Sequence, residues 1–227
     1  MSSKSGSADV LEALGVNIQL HPEQISKCIE ETGFGFMFAQ SFHPSMKYAA
    51  GPRREMGIRT VFNLLGPLTN PAGAARQVIG VADPSIGELM AKVLGRLGSE
   101  KALVVHGDDG LDEITISTSS TVWELERGHV KKYQIRPQDF GLSVSSLDQI
   151  KADNAIESAT LIRTVLAGEK SAARDIVLLN AGASLFVSGM SDEFDECISI
   201  GADAIDSGKA MKSLDDHIQL SNSIATT

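Results

Sequence analysis

Apolar positions along the chain follow two periods, and the switch between them lays out the elements. "RQVIGVA" (76–82) is a continuous apolar run, "SIGELMAKVLGRLG" (85–98) spaces its apolar residues three and four apart, and "KALVVHG" (101–107) is a second run. Two apolar runs flanking an amphipathic helix predict a βαβ unit with parallel strands. "EITISTSSTVWELERGHVKKYQI" (113–135) alternates Thr, Val, Trp, Leu, Val and Tyr around Arg127-Gly128. That period of two predicts antiparallel strands or hairpins. "RPQDFGL" (136–142) reads as a short helical turn and a loop.

Helical periodicity dominates on both sides of this middle. Ser7 is placed as the N-cap of a helix through Leu14, with Asp9 in its first turn and Gly15 as its stop. "HPEQISKCIEETG" (21–33) is a second helix, with Pro22 at its start and Gly33 after its end. "FGFMFA" (34–39) reads as a short buried strand. Residues 43–66 are helical in pieces, broken by Gly-Pro at 51–52 and again at 66–67. Residues 154–168, 171–189 and 192 to about 220 carry apolar residues at helical spacing. No repeat, low-complexity segment or linker interrupts the order, so the expectation is one α/β domain over residues 1–227.

Composition narrows the class. Of the 227 residues 42% are hydrophobic, but only 5% are aromatic, so the core must be largely aliphatic. A net charge of −9 argues against general affinity for nucleic acid or acidic membranes. Cys28 and Cys197 stand far apart with no metal-ligand spacing around them, and read as reduced thiols. No apolar stretch is long enough to span a bilayer, and the small, polar start has no signal-peptide character. The expectation is a cytoplasmic protein without membrane contact.

Three stretches carry candidate chemistry. "MSSKSGSADVLEALG" (1–15) joins small residues to a helix start, where converging N–H groups and the hydroxyls of Ser2, Ser3, Ser5 and Ser7 could hold an anion. A flexible tail is the alternative, and the spacing is not that of a Walker A loop. "HGDDGLDEITI" (106–116) gathers Asp108, Asp109, Asp112 and Glu113 after a strand and a Gly. The carboxyl end of a strand is where α/β sheets place ligand groups, and adjacent Asp112 and Glu113 could hold Mg²⁺ with phosphates completing its shell. A solvated acidic turn is the alternative, and the register excludes an EF-hand. "HPSMKYAAGPRREMGIRTVFNLLGPLTNP" (43–71) combines Arg53, Arg54 and Arg59 with Gly/Pro-shaped walls that suit a carboxylate on an aromatic ligand. Surface arginines are the alternative there, and it is preferred for Arg54. "GFGFMF" lacks the third Gly and preceding strand of a dinucleotide loop, the histidines lack zinc spacing, and no Ser lies in a G-x-S-x-G context. His106 is expected to end a strand structurally, and His43 to cap a helix or wall a pocket.

Taken together, "SSKSGSADVLEALG", "FMFAQSFHPSMKYAAGPRREMGIRTVFNLLGPLTNPA" and "GLDE" resemble the anthranilate phosphoribosyltransferase family of tryptophan biosynthesis, in order and approximate spacing. The resemblance runs from the first residues to about Phe186. It implies a nucleoside phosphorylase/phosphoribosyltransferase-type α/β domain, a mixed sheet surrounded by helices. It implies transfer of the phosphoribosyl group of PRPP (phosphoribosyl pyrophosphate) to anthranilate, with Mg²⁺ as cofactor. Ser2, Ser3 and Ser7 would contact PRPP, Arg53 and Pro67 of the Gly66–Pro67 turn would serve anthranilate, and Asp112 and Glu113 would hold Mg²⁺. No protein nucleophile is implied. The family's N-terminal helical domain is largely missing, and the "GTGGD", "NIST" and "KHGNR" motifs that follow it in the family are not in this sequence. The family's homodimer forms mainly through that domain. The expectation is therefore that the chain alone binds PRPP weakly and turns over little. A pyrimidine nucleoside phosphorylase-like enzyme and a non-catalytic nucleic-acid-binding relative are the rival readings.

Overall fold

The computed structural model describes residues 5–42 and 62–225. Ser2, Ser3, Arg53 and the helical pieces expected over 43–61 lie outside the described residues. The chain divides into two compact units.

The first unit contains residues 72–151 and 167–207. Its centre is a four-stranded sheet in the order β1 (Arg76–Gly80), β2 (Lys101–Gly107), β3 (Ser120–Glu126), β4 (His129–Ile135). β1 and β2 are parallel, joined through α5 (Gly87–Arg96), and the other pairs are antiparallel. The sheet is thus mixed, as the switch from apolar runs to alternation implied. The hairpin turns at Arg127 (φ 49°) and Gly128 (φ 80°), where two successive positive φ values match the right-handed twist of the strands.

Every residue of β2 is buried because both of its faces are covered. Ala102 and Val104 share a face with Leu125 and Trp123, which pack on α5. Lys101 lies on the other face, its Nζ 3.7 Å from the centre of the Phe186 ring and 3.5 Å from Glu126. Phe186 belongs to α7 (Ala172–Ser188), which packs against α8 (Phe194–Asp206). A cation at a buried strand end is tolerable because a ring face and a carboxylate both neutralise it.

Gly87 is required where α5 meets the sheet. A Cβ there would lie 2.4 Å from the Trp123 ring, which is only 2% exposed and has no room to retreat. Gly87→Ala should lower stability by ~1–3 kcal/mol, read as a shifted urea midpoint at unchanged slope. An unshifted midpoint would show that this contact is not tight.

The second unit comprises residues 2–71, 152–166 and 208–227. Among its described residues it is helical: α1 (Ser7–Leu14), α2 (Pro22–Thr32), α3 (Ala39–Phe42), α4 (Phe62–Leu68), α6 (Ala155–Leu166) and α9 (Lys209–Ile224). Leu20, Ile25 and Cys28 form an apolar centre, with Met37, Phe42, Leu220 and Ile224 packed on it.

Four expectations need correction. "FGFMFA" forms no strand: residues 34–38 are irregular and 39–42 helical, because among the described residues no partner strand offers a ladder to the run. The N-cap of α1 is Gly6 rather than Ser7, and the Asp9 carboxylate accepts from the Gly6 N–H at 2.8 Å. Gly66-Pro67 does not break its helix; Pro67 sits near the end of α4, where the Thr69 hydroxyl and N–H close the last turn on Leu65 and Gly66 carbonyls. The last helical stretch is two helices, separated at Ser207-Gly208.

His217, in α9, is 3% exposed, with Nδ1 3.1 Å from the Thr32 hydroxyl and its ring edge-on to Phe34. Burial lowers its pKa from 6.5. The unfolded chain therefore binds more protons in the window just below 6.5, and stability must fall as pH drops through it. Thermal midpoints should decline from pH 7 to pH 5 more steeply in the native chain than in His217→Gln. Parallel declines would remove His217 as the cause.

Candidate active site

β2 ends at Gly107, and the chain turns at once into the acidic segment. Gly107 N–H donates to the Leu111 carbonyl at 2.8 Å, Gly110 N–H to the Gly107 carbonyl at 2.8 Å, and Asp108 N–H to the Ser119 carbonyl at 2.9 Å. The turn is anchored on its far side by Ile114, Thr115 and Ile116, all buried at 1% exposure or less.

Four carboxylates that look alike in sequence separate into two kinds. Asp108 accepts from the Ser119 hydroxyl, from the Thr121 hydroxyl at 3.3 Å and from the Gln134 amide at 3.2 Å. Asp109 accepts from the Ser117 and Thr115 hydroxyls and from the Leu111 N–H at 3.2 Å. Burial alone would push the Asp109 pKa up, but these donors outweigh it and hold the carboxyl below its ordinary range. Both groups therefore brace the turn.

Asp112 and Glu113 are exposed and have no hydrogen bond to their carboxylates among the described residues. Glu113 has its pKa raised, first by partial burial and then by the neighbouring Asp112 charge. The Asp112 backbone passes directly over β1: a Cβ on Gly80 would lie 1.6 Å from the Asp112 carbonyl oxygen. Glu113 also borders an open groove of about 360 Å³ along α7, floored by Ile176, Val177, Asn180, Ala181 and Ser184.

Two adjacent, mutually repelling carboxylates that take no donor from the described residues form a hard-oxygen pair suited to a divalent cation. Among the described residues no three His, Cys, Asp or Glu converge on one point. Such a pair suits an ion that takes one or two carboxylates and leaves its other positions to water and phosphate, as Mg²⁺ does.

The other named positions lie on other elements. Ser7 is exposed in the first turn of α1. Pro67 is half-buried in α4. His106 is structural, as expected: it is buried in β2 with Nδ1 2.8 Å from the Val81 carbonyl. Sequence reasoning missed Asn180, whose side chain bonds the backbone of Ile114. Its one sequence signal is an amide within the apolar run "VLLNAGASLF".

Residues 1–211 match the model of the glycosyl transferase family, a/b domain. The chain belongs to this family. It is 52% identical over 223 residues to an anthranilate phosphoribosyltransferase of Acetivibrio thermocellus, covering 98% of this chain and 65% of that protein. It is 53% identical over 213 residues to that of Methylobacillus flagellatus, covering 94% of this chain and 62% of that protein. The crystal structure of the Thermus thermophilus anthranilate phosphoribosyltransferase superposes with a TM-score of 0.89 at 42% identity, covering 96% of this chain and 64% of that one. The Saccharomyces cerevisiae enzyme in complex with PRPP and Mg superposes at 0.88 and 28% identity, with coverage of 96% and 63%. This glycosyl transferase chain thus spans less than two thirds of the length of these relatives. Among its described residues no helix is long and apolar enough to cross a membrane.

Proposed function

We propose that the chain is the α/β part of an anthranilate phosphoribosyltransferase, transferring the phosphoribosyl group of PRPP to the amino group of anthranilate with release of pyrophosphate. The observation that carries this reading is the 52% identity to such an enzyme across 98% of the chain. The match of one family model to residues 1–211 supports treating both units as parts of a single domain over 1–227.

Asp112 and Glu113 would hold Mg²⁺, an assignment supported by two adjacent carboxylates that take no hydrogen bond from the described residues and stand on a braced turn. When bound, the ion neutralises the charge of the departing pyrophosphate. Asp108 and Asp109 keep the turn in shape by spending their acceptor capacity on its own hydroxyls and amides. Ser2, Ser3 and Ser7 would contact PRPP, Arg53 the anthranilate carboxylate, and Pro67 the entry path of anthranilate. Positioning and charge neutralisation suffice for this chemistry, and no side-chain nucleophile is required. Free, buried Cys28 and Cys197 support a cytoplasmic location.

The test is a chimera in which this chain replaces the segment of the Acetivibrio thermocellus relative that it matches. The chimera should consume anthranilate, read by its fluorescence, only when PRPP and Mg²⁺ are both present. A folded chimera that leaves anthranilate untouched, or that cleaves uridine or thymidine in phosphate, would overturn the proposal. The 227-residue chain alone is expected to show little turnover in the same assay.

A further inference from the structure

We propose that Asn180 is the positioning residue of the Asp112–Glu113 pair: its amide grips both backbone polar groups of Ile114 and so sets where the two preceding carboxylates point. This rests on the metal reading above. Ile114 N–H donates to Asn180 Oδ1 at 3.0 Å, and Asn180 Nδ2 donates to the Ile114 carbonyl at 2.9 Å. A carboxamide offers one acceptor and one donor edge in a plane, much as a peptide does, so a single Asn can stand in for a neighbouring strand.

Ile114 needs such a partner. It is 1% exposed and lies outside any strand, so no ladder supplies its N–H and C=O. A buried backbone group without a partner is costly, and the turn would shift to find one. Ile114 follows Glu113 directly, so any shift there swings the Glu113 side chain first. The two carboxylates have no donors of their own among the described residues, so their direction is set through the backbone.

The support is itself rigid. Asn180 Nδ2 also donates to the Ile176 carbonyl at 3.0 Å, which holds the amide against its own helix. Its neighbours Leu179 and Ala183 are fully buried. On the other side, the Asp112 carbonyl rests where Gly80 has no side chain. Asn180 and Glu113 border the same groove. The turn is thereby held between a strand and a helix residue that lies 66 positions further along the chain.

The experiment uses the folded 227-residue chain, Mn²⁺ as the probe, and two readouts. One is amide exchange at Ile114 by NMR without metal; the other is Mn²⁺ affinity from loss of the free-ion EPR signal. Asn180→Ala should speed exchange at Ile114 at least tenfold and weaken Mn²⁺ binding at least tenfold. Asn180→Ser, whose hydroxyl is too short to reach both groups, should act in the same direction and decides the matter if the Ala variant does not fold. Leu179→Ala should lower the melting temperature while leaving both readouts within twofold, because it opens the core without touching the clamp. Unchanged exchange at Ile114 would overturn the clamp. Faster exchange with unchanged Mn²⁺ affinity would overturn the positioning role, as would an equal loss of affinity in Leu179→Ala. A native chain that binds no Mn²⁺ overturns the metal reading itself, a result visible before any substitution is made.

Discussion

Converting Asp112 and Glu113 together to Asn and Gln should abolish the Mg²⁺ response of anthranilate consumption in the chimera and reduce its rate about a thousandfold. A bound metal contributes several kcal/mol of charge stabilisation in such reactions. About 4 kcal/mol corresponds to roughly a thousandfold in rate. Fold and stability should survive, because both side chains are exposed and make no hydrogen bonds among the described residues. Burial and the Asp112 charge raise the Glu113 pKa, so its ionised form is disfavoured in the folded chain, and replacing both carboxylates by amides is not expected to cost stability at neutral pH. By contrast, Asp109→Asn should destabilise, since its carboxylate gathers the Ser117 and Thr115 hydroxyls and the Leu111 N–H. A double amide that keeps full Mg²⁺-dependent activity would remove the pair from the mechanism.

Gly80→Ala should damage both stability and activity. Its Cβ would stand 1.6 Å from the Asp112 carbonyl oxygen and 2.6 Å from the carbonyl carbon. Neither atom belongs to a flexible side chain, so the strand or the turn must move by more than an ångström. Overpacking of this kind costs ~1–3 kcal/mol. A displacement of about 1 Å in a positioned site can cost ~100-fold in rate. The measurement pairs urea unfolding with anthranilate turnover in the chimera. The Gly87→Ala substitution is the comparison: its clash is with Trp123, on the α5 side of the sheet, so it should lose stability without a comparable loss of turnover. If Gly80→Ala keeps both stability and turnover, the turn does not rest on β1 as described.

Much of the first unit was legible in the chain itself. The run 101–107 coincides with β2, and Arg127-Gly128 marks the hairpin turn, because strand period and turn chemistry are local properties. The parallel pairing of β1 and β2 followed from the helix between two apolar runs. "FGFMFA" was misread for the complementary reason: an apolar run becomes a strand only where another strand pairs with it, and among the described residues none pairs with 34–38. Pro67 inside α4 is a similar case, since whether a Gly-Pro pair ends a helix depends on what closes the turn after it, here Thr69.

At the acidic turn, residue type and position after a strand made "DDGLDE" a candidate for chemistry, with a solvated acidic turn as the alternative. Composition and order could not say which of its four carboxylates gather donors from the described residues. That division depends on Ser117 and Ser119 arriving as donors from the loop before β3, and on Thr121 and Gln134 from the hairpin. The sequence by itself determined the strands of the sheet and most of the helices, because propensity and period act over a few neighbours. Only the tertiary structure decided which carboxylates brace the turn and which take no donor from the described residues, because a hydrogen-bond partner is chosen by distance in space and not by distance along the chain.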